Sequence, residues 1–177
     1  MDELLTGRLL VAAPVHRDGV FDRSVVFVLH HDDEGALGIV LNRPSEVDLL
    51  AVLPRWYATA SSPSVLFSGG PVSPGQVLGL ARFQTDPETG STAVGTVDLE
   101  TDPEPGRVDA VRVFSGYAGW SAGQLETEIA SGGWYVVAAD VDDPFTADPV
   151  DLWRRVLRRQ TGQLALVASY PDDPAMN

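Results

Sequence analysis

Short runs of apolar and β-branched residues alternate with turn-forming residues along the N-terminal part of the chain. Such runs occupy residues 8–13, 24–30 and 36–42. The sequence DDEG at 32–35 separates the second run from the third, and a turn of this composition between two short apolar runs is typical of a β-hairpin. The pattern therefore predicts three strands, with the second and third joined as a hairpin.

Four further strand-like runs follow in the middle of the chain, at residues 64–68, 77–83, 92–97 and 108–114. The turn sequences DPETG and DPEPG separate the last three of them. Pro, Asp and Gly each favour turns for a separate backbone reason, so these two segments mark sharp reversals of the chain. The spacing predicts that the last three strands form an antiparallel meander.

Helix-like patterns are few and short. They cover residues 45–53, 122–131 and 149–161, while residues 134–139 and 164–169 resemble strands. Neither a repeated β-α-β rhythm nor a long linker interrupts the chain. The sequence therefore predicts one α+β domain that spans residues 1–177.

The third helix carries a cluster of arginines, in the sequence RRVLRR at 154–159. Asp148 followed by Pro149 is a typical helix start, and Gly162 is a typical stop. We expect the apolar face of this helix to be buried and its arginines to lie on or beside the solvent face; the apolar residues are Val150, Trp153, Val156 and Leu157. The alternatives for the arginines are an acidic partner or nucleic acid.

Charge and hydropathy narrow the range of partners. The formal net charge is −13, and a field of this sign repels phosphate backbones, so direct nucleic-acid binding is not expected. No apolar run approaches the roughly 20 residues that a membrane-spanning helix needs, and the acidic N-terminus lacks a basic signal-peptide start. We therefore expect a cytoplasmic protein without a membrane partner.

The composition also excludes several chemistries. The chain has no Cys and no Lys, so thiolate metal sites, thiol nucleophiles and Schiff-base lysines are absent. Its three histidines are His16, His30 and His31. The sequence HHDDE at 30–34 offers metal-binding side chains, but adjacent strand residues point to opposite faces, so a polar turn is the favoured interpretation. We expect neither a metal nor a cofactor.

The most distinctive stretch is GYAGWSAGQLE at 116–126, which allows two interpretations of Ser121. It contains the pattern G-x-S-x-G of hydrolase nucleophile elbows, but no His follows residue 31, whereas such hydrolases place their His after the Ser. Ser121 and Gln124 also match a capping box, in which the Ser hydroxyl accepts from the Gln124 backbone N–H and the Gln side chain bonds back to the Ser121 N–H. The cap is the favoured interpretation, with no catalytic residue assigned; a small serine hydrolase that uses Ser121 is the alternative.

Several sequence blocks together resemble the AlgH/YqgE family. They are GRLLVAAPVHRDGVFDRSVVFVLHHDDEGALGIVLNRP, FSGGPV, GYAGWSAGQLETEI, GGWYVV and DLWRRVL, in the order in which the family has them. The resemblance implies an α+β fold with a curved, partly barrel-like, mostly antiparallel sheet flanked by a few helices. The family has no established biochemical activity, and its usual label of transcriptional regulator rests on association.

This sequence departs from the family pattern in two places. The strand after GGPV often ends in Leu-His in the family, but here it reads LGLARF; the following region is also short, with DLETDPEPG where many members have a helix. The resemblance supplies a fold and a family, and it supplies no chemistry.

Two glycine-rich segments, at 69–71 and 116–120, suggest a binding site. Both leave apolar strands and carry little side-chain bulk, so we expect them to lie side by side and form a shallow pocket with an aromatic wall and a polar rim. The candidate ligand- or partner-binding residues are Asn42, Arg43, Gly69, Gly70, Tyr117, Trp120, Gln124 and Glu128. The alternatives are an ion pair of Arg43 with one of the protein's own acids, and close backbone packing with both aromatics in the core. The favoured function is a non-enzymatic binding or regulatory protein with an unknown protein or small-molecule partner.

Overall fold

The computed structural model describes residues 4–14 and 19–171, and nine strands lie within them. The strands are β1 (Leu9–Ala12), β2 (Val25–Asp32), β3 (Gly35–Val40), β4 (Pro44–Asp48), β5 (Val65–Ser68), β6 (Val72–Phe83), β7 (Val94–Val97), β8 (Val108–Ser121) and β9 (Trp134–Val137). The helices are α1 (Leu49–Val52), α2 (Gln124–Ala130), α3 (Leu152–Arg158) and α4 (Gln163–Val167), and short 3₁₀ segments cover Pro54–Thr59, Asp143–Phe145 and Pro149–Asp151.

All nine strands belong to one curled, half-barrel sheet. Its main path runs β4-β5-β8-β3-β2-β1-β9, and β6 pairs with β8 and β7 off this path. Every strand pair is antiparallel except β5 with β8. The predicted hairpin of β2 and β3 and the predicted α+β fold with a mostly antiparallel sheet are both confirmed.

Apolar side chains pack on both faces of the sheet, which explains why the strands are apolar almost throughout. In β1, Leu9 and Val11 join the core cluster that α3 and α4 cover, while Leu10 and Ala12 join a second cluster beneath α2. A third cluster forms around Trp56. Each fully buried Leu or Val stabilises the fold by about 1.5–3 kcal/mol, so burial on both faces holds the sheet in place.

Strand β8 is longer than the sequence pattern predicts, because it continues through GYAGWS to Ser121. Before Gly116, Phe114 belongs to the core beneath α3; after Gly116, Ala118 and Trp120 belong to the core beneath α2. Even-numbered residues before Gly116 and even-numbered residues after it thus face opposite sides of the sheet. Gly116 has φ +75, a left-handed conformation that only glycine adopts at little cost. This conformation reverses which face of the sheet the following side chains point to.

The predicted meander is wrong. Strand β6 lies between β7 and β8: residues Gly79–Arg82 pair with β7 on one edge and with β8 on the other. The chain returns from β7 to β8 through residues 98–107, which cross over Trp56. The Trp56 indole N–H donates to the carbonyls of Leu99 (3.2 Å) and Thr101 (3.0 Å), which fixes that crossing.

The predicted helix at 45–53 is mostly strand. Residues 44–48 form β4 against β5, and the helix begins only after Asp48, whose carboxylate accepts from the Leu50 N–H at 2.9 Å. Asp is a better cap than Ser45 here because Ser45 donates to the Leu66 carbonyl in the neighbouring strand.

Two expectations near the C-terminus are also wrong. The strand-like run at 164–169 is mostly the helix α4, in which Leu164 and Val167 recur at helical spacing and, with the C-cap residue Ala168, pack on the core beside α3. In the preceding helix, Trp153 and its apolar neighbours are buried as expected. Val150 instead lies in a 3₁₀ turn before α3 and is 77% exposed.

Candidate functional site

The two glycine-rich segments lie against each other at their backbones. The Gly69 N–H donates to the Ser115 carbonyl at 2.8 Å. A Cβ added at Gly70, where φ is +151, would overlap the backbone of Tyr117, and one added at Gly116 would overlap the Gly70 carbonyl. Glycine is therefore required at this crossing by both conformation and space.

An open cleft of ≈ 180 Å³ borders the crossing, and we call it the Gly70 cleft. Its lining residues are Val20, Val40, Arg43, Ser68, Gly70 and Pro71. Two of the candidates chosen from the sequence, Arg43 and Gly70, are thus brought together. The Arg43 guanidinium donates to the Asp22 carbonyl at 3.1 Å, and its own carbonyl accepts from the Ser68 N–H at 2.8 Å.

A wide bulge in β6, which the sequence did not predict, stands next to the crossing. Val72 pairs with Tyr117 and Val77 with Ser115, so Ser73–Gln76 have no ladder partners. Ser73 has φ +47, which is uncommon outside glycine, and the Ser115 hydroxyl donates to the Pro74 carbonyl. The only signal in the sequence is Ser-Pro-Gly at 73–75, which is typical of a turn and not of a strand interior.

Asn42 lies on the β2 side of this region and fixes the backbone. Its side-chain oxygen accepts from the Val25 N–H at 3.0 Å, and its amide nitrogen donates to the Arg23 carbonyl at 2.9 Å. Both of its polar groups are therefore engaged with backbone, and Asn42 supports the strand that carries Arg43.

Trp120 does not line the Gly70 cleft. It is 6% exposed in the core beneath α2, and its indole N–H donates to Glu128 at 3.2 Å. Trp134 donates to the same Glu128 oxygen at 3.0 Å, and Gln124 donates to the other oxygen at 3.0 Å. Tyr117 is half-buried on the opposite face, across from Val72. None of Tyr117, Trp120, Gln124 and Glu128 lines the Gly70 cleft.

Ser121 ends strand β8 and does not cap α2 with its hydroxyl. The residue at the N-cap is Gly123, with φ +75 and no side-chain cap bond. The Gln124 side-chain oxygen accepts from the Ser121 N–H at 3.0 Å and from its hydroxyl at 3.2 Å. Only the Gln half of the predicted capping box forms, because Gly123 takes the left-handed turn into the helix.

A buried histidine, not expected as a site, anchors α2 to the N-terminal segment. His31 is 4% exposed; its Nδ1 accepts from the Leu5 N–H at 3.1 Å, and its Nε2 donates to Glu126. The bond to His31 is the main reason that the pKa of Glu126 is lowered.

Both ring nitrogens of His31 are thus occupied, and Ser121 has its hydroxyl bond to Gln124.

His30 lies on the exposed face and contacts Asp32 at 2.7 Å, which lowers the pKa of that carboxyl. Asp32 also accepts from the Glu34 N–H at 2.8 Å, as expected for a polar turn. Among the residues that the structure describes, no group of three His, Asp or Glu is arranged to hold a metal ion. His16 lies outside the described residues.

The four arginines of the α3 segment are bound to the protein's own groups. Arg154 donates to the carbonyls of Ala168 and Tyr170, Arg155 to the Thr146 hydroxyl, Arg158 lies 3.8 Å from Asp151, and Arg159 forms a two-point contact with Asp143. Arg158 and Arg159 are therefore paired with carboxylates, while Arg154 and Arg155 are held by neutral acceptors and keep their charge.

No helix within residues 4–14 and 19–171 has the length and apolar character needed to cross a membrane.

Comparisons with known proteins agree with the fold. The family model described as AlgH-like (DUF179) matches residues 9–165. A UPF0301 protein of Streptomyces coelicolor is 50% identical over 184 residues, covering 98% of this chain and 95% of that protein. A UPF0301 protein of Thermobifida fusca is 50% identical over 196 residues, covering 100% of this chain and 98% of that protein.

Solved structures show the same architecture. The crystal structure of DIP2367 from Corynebacterium diphtheriae superposes with a TM-score of 0.87 at 32% identity, covering 96% of this chain and 94% of that one. The solution structure of AlgH from Pseudomonas aeruginosa superposes with a TM-score of 0.66 at 26% identity, covering 98% and 100%. The chain belongs to the AlgH-like family.

Proposed function

We propose that this protein is a non-enzymatic binding or regulatory protein of the cytoplasm, which recognises a protein or small-molecule partner at the Gly70 cleft. The observation that carries the proposal is the glycine crossing. Its backbones touch so closely that the glycine side of the cleft is formed by main chain, which reorganises little when a partner binds. Arg43 and Ser68 add polar groups to a wall of small and apolar residues.

We extend the proposed binding surface from the cleft to the outer face of β8, whose residues do not line the cleft itself. Tyr117 is half-buried beside the Gly70 backbone, and Gly119, two residues along the same face, is exposed. A partly exposed Tyr offers an apolar ring and a polar hydroxyl to a partner, at a small cost in side-chain entropy. We therefore include Tyr117 in the proposed binding surface.

The arrangement of polar groups favours binding over serine hydrolysis. A nucleophilic Ser needs a base within hydrogen-bond reach, and both nitrogens of His31 are engaged by Leu5 and Glu126. The Ser121 hydroxyl donates to Gln124, which is not a base. A fluorophosphonate probe that labels Ser121, with labelling lost in Ser121→Ala, is the result that would restore the hydrolase.

Charge argues against direct DNA binding as the regulatory mechanism. The net charge is −13, and the arginines of α3 are held by carbonyls, a hydroxyl and carboxylates. We expect no gel shift below micromolar protein at near-physiological salt. A nanomolar, sequence-dependent shift that weakens in the double variant Arg154→Ala/Arg158→Ala contradicts this.

Capture from native cell extract tests the proposed site. Immobilised protein is incubated with extract, and retained proteins and small molecules are identified by mass spectrometry. Ser68→Trp fills the Gly70 cleft from an exposed wall position, and Ser91→Trp, in an exposed loop, is the matched control. We expect a component that the parent protein and Ser91→Trp retain and that Ser68→Trp loses. The same components on all three proteins would contradict the proposal.

A further inference from the structure

A second open cleft, of ≈ 370 Å³, lies where β6, α3 and the segment at 140–146 meet. We call it the Arg155 cleft; the residues that matter for its chemistry are Arg82, Asp140, Asp142, Phe145, Thr146 and Arg155. It is separate from the Gly70 cleft in all of its lining residues, and it mixes charges of both signs.

Most of the charges around this cleft are already paired. Arg82 binds Asp109 at 2.7 Å and Asp142 at 2.5 Å. Asp143 is nearly fully buried and accepts both arms of the Arg159 guanidinium, at 2.7 and 2.6 Å. Arg159 and Asp143 neutralise each other, while Arg82 with its two aspartates leaves one negative charge; in both groups the guanidinium is already engaged and is not free to bind a ligand.

Two charges of opposite sign remain without an ion-pair partner in the described part of the chain. Arg155 is half-buried, and the one contact its guanidinium makes there is with the Thr146 hydroxyl at 2.6 Å. Asp140 is exposed and accepts from the Asp142 N–H at 3.0 Å. The pKa of Arg159 is raised mainly by its hydrogen bond with Asp143 and to a smaller extent by the charge of Asp140, so this guanidinium is already occupied by Asp143.

The Thr146 hydroxyl reinforces the positive end of the cleft. Its oxygen accepts from both Arg155 and the Asp148 N–H, the latter at 3.1 Å, so its proton is directed to some other acceptor. A carboxylate suits this end, because a guanidinium and a hydroxyl both donate to it. The exposed carboxylate of Asp140 suits an ammonium group.

The cleft wall is held in place by a buried arginine. Arg112 donates to the carbonyls of Pro144 (3.1 Å), Thr146 (2.8 Å) and Ser62 (2.7 Å), and burial lowers its pKa to about 10. Arg112 therefore stays charged at neutral pH and ties the segment with Thr146 to β8. A fixed wall spares the ligand the cost of ordering it.

We propose that the Arg155 cleft binds a small zwitterion of the amino-acid class, whose carboxylate pairs with Arg155 and Thr146 and whose ammonium pairs with Asp140. A simple anion would face Asp140 and the acidic neighbours, and a simple amine would face Arg155. A dipolar ligand satisfies both ends at once. The proposal is independent of any partner at the Gly70 cleft.

Titration of isotope-labelled protein tests this with glycine, β-alanine and γ-aminobutyrate, which separate the two charges by increasing distances. Acetate and ethylamine, each with one charge, are the controls. We expect at least one zwitterion to shift the backbone amide signals of residues 140–148 and 155, saturating at concentrations at which neither control does. No saturable shift there with any of the three, or equal shifts with acetate or ethylamine, would overturn the proposal.

Two variants test which residue binds each charged end of the zwitterion. Asp140→Asn keeps an oxygen for the Asp142 N–H but removes the charge, and Arg155→Gln removes the guanidinium; each should weaken zwitterion binding at least tenfold. Arg158→Gln, on the exposed side of the same helix, should bind as the parent protein does. If Arg155→Gln fails to fold, Asp140→Asn alone decides, and unchanged binding in that variant contradicts the proposal.

Discussion

The two faces of strand β8 beyond Gly116 differ in what surrounds them. On one face Ala118 and Trp120 lie in the core beneath α2, where Glu128 accepts from two indole N–H groups. On the other face Tyr117 is half-buried and Gly119 is exposed, and the Tyr117 backbone packs against Gly70. A single motif in the sequence therefore combines positions that hold the fold with positions that are available to a partner.

This difference separates stability from binding. Substitutions on the inner face should lower the free energy of unfolding, because they leave cavities or unsatisfied polar groups. Substitutions on the outer face should leave that free energy nearly unchanged. The glycine crossing contributes to both properties, since it joins the two segments and shapes the cleft.

The largest effect is expected at the crossing itself. Gly70→Ala should lower the free energy of unfolding by about 3 kcal/mol or more, because the added methyl group overlaps the Tyr117 backbone at a φ that side chains rarely adopt. Gly75→Ala is the matched control in the neighbouring bulge, where an added Cβ meets nothing within 4 Å. Urea unfolding of both variants measures the difference, and similar midpoints would show that the crossing is not tight.

Glu128 tests the inner face. Glu128→Met removes the acceptor for the indole N–H groups of Trp120 and Trp134 and should cost about 2 kcal/mol, because two largely buried donors lose their partner. Glu128→Gln keeps a side-chain oxygen and should cost about 1 kcal/mol or less. Near-ultraviolet circular dichroism together with chemical unfolding reports both variants. Equal stability of Glu128→Met and the parent protein would contradict the structural role.

Glu126 should make a smaller, pH-dependent contribution. The pKa of its carboxyl is lowered from 4.5 in the folded state, mainly by the hydrogen bond from His31, so the ionised form favours folding. This stabilisation is present above pH 4.5 and is lost as the pH falls through the lowered pKa.

Partial exposure of Glu126 screens the interaction, so Glu126→Gln should cost about 0.5–1 kcal/mol at pH 7. Plotted against pH, the free energies of unfolding of Glu126→Gln and of the parent protein should converge below pH 4.5. A constant difference between them down to pH 3 would contradict the assignment.

The sequence predicted the fold and the family well and the pairing of strands less well. Apolar runs and turn residues identified β1, β2, β3, β5 and β9 closely. The prediction of a meander was wrong because local turn signals show where the chain reverses but not which strands then pair with each other. The prediction of a strand at 164–169 was wrong because a short apolar run fits a strand or a buried helix equally.

The packing of the glycine segments was predicted in part, for a related reason. Two glycine segments with similar surroundings indicated a close approach of backbones, and Gly70 and Gly116 do lie in contact. The sequence could not show that Gly116 reverses the alternation of side chains in β8, so Tyr117 and Trp120 were assigned to one pocket. The Arg155 cleft was missed because its residues come from three distant segments, which only the tertiary fold brings together.

The most direct test of the account is to measure stability and partner capture on a pair of aromatic variants. Trp120→Phe should lower the free energy of unfolding by about 1–2 kcal/mol and retain the component that Ser68→Trp loses, because its indole serves Glu128 and the core. Tyr117→Ala should lower the free energy of unfolding by about 1 kcal/mol or less, the range of strand propensities, and lose that component. Loss of capture by folded Trp120→Phe, with capture intact in Tyr117→Ala, would contradict the assignment of binding to the outer face of β8.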